Sequence, residues 1–127
     1  MKRSVFFITF LVTTYTFSQN LECCKTIDDV IEKLEGNWKE EYSNYEITYQ
    51  FDFSQELGIV NEIVKKDNEL IILECPTNIE LIKNGSGFRI KYMYLLSYEV
   101  YDIIFLNDDK FLIKNANSKI EYVRAVD

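Results

Sequence analysis

The chain has no histidine among its 127 residues. That absence removes the Ser-His-Asp and Cys-His nucleophilic systems and every His-based metal site. Its three cysteines, two of them adjacent, do not make a zinc spacing either. No phosphate loop is present: "NGSG" at 84–87 has strand-like residues on both sides and no helix after it, so it reads as a hairpin turn. "NDDK" holds Asp108 and Asp109 without further ligands to complete a calcium loop, and reads as a solvated turn. Carboxylates are abundant, but no spacing singles out a glycosidase-type pair. The expectation is therefore a protein that is not an enzyme and has no cofactor and no metal.

Positive charge is scarce as well. Fourteen Lys and Arg stand against twenty-one Asp and Glu, a formal net charge of −7. Binding to nucleic acid or to anionic lipid needs clustered basic residues that displace counterions, and this balance disfavours both. The chain also lacks a run long enough to span a bilayer. "VFFITFLVTTYTF", after Lys2 and Arg3, is about 13 residues where a spanning helix needs about 20. With the small residues of "TFS" behind it, it reads as a secretory signal peptide over residues 1–18, cleaved after Ser18. Lipid attachment at Cys23 requires a small residue before it, and Glu22 stands there, so neither a lipoprotein nor a stable membrane anchor is expected. The protein is expected to be secreted or periplasmic, with one domain over residues 19–127 and a formal charge that moves from −7 to −9 on cleavage.

Export permits disulfides. A bridge from Cys23 or Cys24 to Cys75 would tie the N-terminal segment to the middle of the chain, the alternative being three reduced, buried thiols.

What the chain does have is alternation. Ile27, Val30, Ile31 and Leu34 recur on one helical face, with Thr26 placed to cap the helix and Gly36 to stop it. After Gly36 every segment reads as strand. In "YEITYQFDF" Tyr45, Ile47, Tyr49, Phe51 and Phe53 alternate with polar residues. In "GFRIKYMYLLSY" Phe88, Ile90, Tyr92, Tyr94, Leu96 and Tyr98 share one face. Six further short strands follow the same rule, separated by "KKDNE", "CPTN", "NGSG", "NDDK" and "NANS". With eight or nine strands at hairpin spacing and no second helix, an antiparallel meander closed into a barrel leaves the fewest exposed edges.

A short helix, then Gly36-x-Trp38 entering the first strand, then a meander whose last strand "IEYVRAV" carries Arg124, resembles the lipocalin-like (calycin) proteins, in particular small secreted bacterial ones. The resemblance implies an all-β, up-and-down barrel of about eight strands with one N-terminal helix. It also implies that Trp38 packs at the closed end beneath Arg124. The later Thr-Asp-Tyr motif of the better-known members is missing here.

Two functions follow. The dry faces carry Tyr49, Phe51, Tyr92, Tyr94 and Tyr98, which would line a barrel interior and take a small hydrophobic or aromatic ligand. An eight-stranded barrel is also narrow enough to fill with its own side chains. In that case the acidic exterior would serve a protein partner, as in an inhibitor or immunity-like module.

Overall fold

A computed structural model describes residues 21–42, 46–66, 69–72 and 76–125; the expected signal peptide lies outside them. The helix, α1 (Ile27–Leu34), begins with a reciprocal capping box. Thr26 Oγ1 accepts a hydrogen bond from the Asp29 amide at 3.2 Å, while the Asp29 carboxylate accepts from the amides of Thr26 and Lys25 at 3.1 and 3.0 Å. Those backbone donors hold the Asp29 carboxyl below its usual value. Val30 and Leu34 point into the protein and are wholly buried.

Nine strands follow: β1 (Gly36–Glu40), β2 (Ile47–Asp52), β3 (Gly58–Lys66), β4 (Glu69–Ile72), β5 (Thr77–Asn84), β6 (Gly87–Met93), β7 (Tyr98–Leu106), β8 (Lys110–Lys114) and β9 (Lys119–Arg124). All pairings are antiparallel. Strand β9 returns to β1, with Trp38 opposite Arg124, so eight strands close into a barrel. The ninth, β4, is a flap: it pairs with Ile63–Lys66 of β3, while β5 takes Gly58–Val60 on the same edge. This is the all-β, up-and-down barrel with one short helix that the alternation implied. No helix among the described residues is long and apolar enough to cross a membrane.

The turns follow from local chemistry. Between paired Asn84 and Gly87 the chain reverses through Gly85 and Ser86, with Gly85 at φ +62°. Asn107 and Asn115 each use the side-chain oxygen to accept two amides beyond them, from Asp109 and Lys110 and from Asn117 and Ser118. A bulge between Ile103 and Phe105 shifts the phase of β7, turning Leu106 inward and leaving Phe105 outside.

One strand is shorter than its pattern. The alternation through Tyr98 predicts a single run from residue 87, but β6 stops at Met93 and the chain reverses over 94–97, closed by the Tyr94 amide on the Ser97 carbonyl at 2.8 Å. Leu95 and Leu96 consequently stand at a hairpin tip, 97% and 95% exposed. The hairpin lacks Gly, Pro, Asn and Asp, and Ser97 alone is a weak turn signal.

The cysteine expectation is also corrected. Cys23 is bonded to its neighbour Cys24, and neither is joined to Cys75. Cys24 is buried beside Leu21 at the base of the barrel, where Lys83 Nζ donates to the Lys25 carbonyl at 3.2 Å. Cys75 itself lies outside the described residues.

Candidate functional site

The two ends of the barrel differ. At the base, Trp38, Phe51, Phe111, Ile79, Ile90 and Ile113 fill the interior completely. Phe111 is the hub: it meets Trp38 edge-on at 4.7 Å, Phe51 edge-on at 5.5 Å, and stacks on Tyr122 at 4.4 Å. Phe51, expected to line a ligand cavity, is part of this floor.

Arg124 closes the base. Its guanidinium carbon sits 3.9 Å from the centre of the Trp38 ring. Nη2 donates to the Lys33 carbonyl at 2.7 Å, Nη1 to the Glu35 carbonyl at 2.9 Å, and Nε to the Asp108 carbonyl at 2.9 Å. Trp38 Nε1 donates to the Leu34 carbonyl at 2.7 Å. Three consecutive carbonyls at the end of α1 are thus held by two side chains. Gly36 does not stop the helix, which ends in the extended Glu35; instead Gly36 has φ +122°, and a Cβ there would fall 2.7 Å from Arg124 Nη1. Asp108, in the turn that lacks the ligands of a calcium loop, is ion-paired with Lys33 at 2.7 Å.

The other end is open. A cup of about 250 Å³ sits in the mouth, walled by Tyr49, Tyr92, Tyr94, Tyr101 and Tyr122. Two carboxylates, Glu40 and Glu62, share that wall, with Val60, Thr77 and Ile120 between them. Tyr49 donates to Glu40 at 3.3 Å and lies directly opposite Glu62 in the β2–β3 register, while Glu40 lies opposite Tyr122. Tyr92 and Tyr101 meet edge-on at 5.6 Å, and Tyr49 meets Tyr122 in the same way at 5.5 Å. Tyr101 also donates to Glu99. Burial, with the charges of Glu40 and Glu62 adding to it, pushes the Tyr49 phenol up to about 12. Burial and the bond to Glu99 do the same for Tyr101. Tyr92 and Tyr122 are raised chiefly by burial. The Tyr92 hydroxyl is buried against Tyr122, which is near enough to influence its acidity.

Of the residues expected to line a cavity, Tyr49, Tyr92 and Tyr94 meet at the cup. Tyr98 does not: it begins β7 on the outside, 64% exposed, beneath Lys91 Nζ at 4.5 Å. The cup adds four groups that the strand pattern holds in phase. Glu40 follows Trp38 by two, Glu62 follows Val60 by two, Tyr101 precedes Ile103 by two and Tyr122 precedes Arg124 by two. A larger groove of about 640 Å³ runs along the outer wall of β6, β7 and β8, but its main charges, Arg89 and Asp102, are paired to each other at 2.9 Å.

No protein-family model matches the chain, and no curated protein or solved structure matches it.

Proposed function

We propose that the chain is an exported lipocalin-like binding protein that holds a small ligand in the open end of its barrel and performs no chemistry on it. The observation that carries this reading is the cup itself: a solid aromatic floor topped by an open void walled by five tyrosines. At about 250 Å³ the cup lies just below the roughly 300–1,000 Å³ of drug-sized sites, which favours a small molecule. Gly36, Trp38 and Arg124 supply the base that the lipocalin resemblance implies, and they keep the floor rigid beneath it.

Native mass spectrometry on protein purified from its own host without detergent tests this. The expected result is an adduct of small-molecule size that leaves on denaturation. A native mass equal to the bare chain, unchanged by incubation with host extract, speaks against it.

A second reading rests on the hairpin tip. Leu95 and Leu96, flanked by the half-exposed Tyr94 and by Tyr98, form an apolar point beside the mouth that suits a protein partner better than water. In that reading the barrel is an interaction module, and replacing both leucines with serine would abolish partner capture while leaving the cup unchanged.

A further inference from the structure

Two tyrosine–carboxylate pairs face each other across the mouth of the barrel. In the closed strand order β6 is four places from β1, and β7 is four places from β2, so these pairs of strands stand on opposite sides. On the first side Tyr49 on β2 donates to Glu40 on β1 at 3.3 Å. On the second Tyr101 on β7 donates to Glu99, two residues before it and in the same phase. Tyr94, just past β6, is half exposed on that second side, its phenol raised by burial and by the charge of Glu99. A phenol whose proton goes to a carboxylate keeps only lone pairs, and a carboxylate has nothing else to offer. Two acceptor edges therefore oppose each other, with phenol rings between them.

That arrangement discriminates among ligands. An apolar body would strip water from both edges and return no hydrogen bond. A carboxylate would bring acceptors to acceptors, and like charge to Glu40 and Glu99. A compact ammonium holds all its donors at one point and reaches one edge only. A sugar ring has hydroxyl donors around its rim and C–H groups on its faces, so it donates to both edges while lying against the phenols.

We infer that the cup takes one neutral sugar ring of hexose size, its hydroxyls donating to the Glu40–Tyr49 edge and to the Glu99–Tyr101 edge. This rests on the ligand-binding reading above. One ring is what a cup of about 250 Å³ accommodates, and since the cup is open a longer saccharide would leave its other rings in solvent. Thr77, also in the wall, both donates and accepts, and so suits a hydroxyl in either sense. The filled floor of Trp38, Phe51 and Phe111 keeps the ring at the mouth, where both edges are within its reach.

Amide chemical-shift titration of the mature chain tests this with two sets of six-membered rings. One set is the methyl glycosides of glucose, galactose, mannose and N-acetylglucosamine; the other is cyclohexanol, cyclohexylamine and cyclohexanecarboxylate. At least one glycoside is expected to saturate, with shifts at Tyr49, Tyr94 and Tyr101, and to bind at least about tenfold more tightly than any cyclohexyl probe, because the site's acceptors are met only by the many-donor ring. A Glu40→Ala, Glu99→Ala variant should lose that advantage while its affinity for cyclohexanol is unchanged. The wild-type ranking is a test even where that variant fails to fold. If a cyclohexyl probe binds as tightly as the best glycoside, the cup is a ligand site but the sugar inference is overturned. If no glycoside binds at millimolar concentration, the inference is overturned as well. The ligand-binding reading then stands or falls separately, on whether the native mass spectrum shows an adduct.

Discussion

Arg124 lies 3.9 Å above the Trp38 ring, and the two residues face each other across the β1–β9 seam that closes the barrel. Each also reaches the end of α1, so one contact joins the first strand, the last strand and the helix. Truncating Trp38 to Ala should cost about 3–5 kcal/mol through the lost core volume. Arg124→Ala should cost about 2–3 kcal/mol, since it strands the carbonyls of Lys33 and Glu35. Arg124→Lys should recover less than half of that, because a single ammonium cannot serve three carbonyls while lying flat on an indole. Urea unfolding of the three variants measures this. A lysine variant as stable as the parent would mean that the guanidinium geometry contributes nothing.

Gly36 and Gly85 both have positive φ, yet only one of them is crowded. At Gly36 a methyl group would meet Arg124 Nη1, so Gly36→Ala combines backbone strain with displacement of the guanidinium and should cost about 2–4 kcal/mol. At Gly85 nothing lies within 4 Å, and Gly85→Ala should cost only the left-handed penalty of about 1 kcal/mol. Equal losses at the two sites in thermal unfolding would remove Arg124 from the explanation.

These contacts mark how far the sequence could be read. Trp38, Phe51 and Ile90 each stand between two polar neighbours, and Tyr92 and Tyr122 keep the same period of two, which leaves no other side for them to take. Tyr98 defeated the same rule because the chain turns at Tyr94–Ser97, where Ser97 is the one weak turn residue, so the phase restarts there with little warning. The bulge at Ile103–Phe105 is equally silent in the sequence, since it is set by how β7 must bend to meet β8. Glu40 and Glu62 were overlooked for a different reason. Carboxylates default to the wet face, and only the closed ring shows that their places in the alternation point into the mouth.

The pairing of Cys23 with Cys24 has a direct chemical readout. Trypsin cuts after Lys25, so both cysteines should leave in one peptide that is lighter by two hydrogens than its sequence requires, with Cys75 in a separate, unlinked peptide. A cross-linked pair of peptides containing Cys75 would restore the long-range bridge expected from the sequence.

Removing the hairpin leucines probes the second reading without touching the barrel. Leu95→Ser with Leu96→Ser should change stability by no more than about 0.5 kcal/mol, because both side chains are already in water. A large loss in urea unfolding would show that the tip packs against something within the chain.

The tyrosines of the mouth make stability depend on alkaline pH. Tyr49 and Tyr101 have phenols raised to about 12 in the folded protein, against about 10 in an unfolded chain, and Tyr92 and Tyr122 move in the same direction. Between pH 10 and 12 the unfolded chain has therefore lost protons that the folded one keeps. Stability is full below pH 10 and falls as pH rises toward 12. In an alkaline titration followed by phenolate absorbance, a fraction of the native tyrosines should resist ionisation beyond pH 10 and then ionise together as the circular dichroism of the barrel is lost. In urea all of them should titrate normally. Tyr92→Phe removes a buried hydroxyl that lies against Tyr122 and should change neutral-pH stability by no more than about 1 kcal/mol. If native and denatured titration curves coincide, the mouth is far wetter than a site of this kind requires.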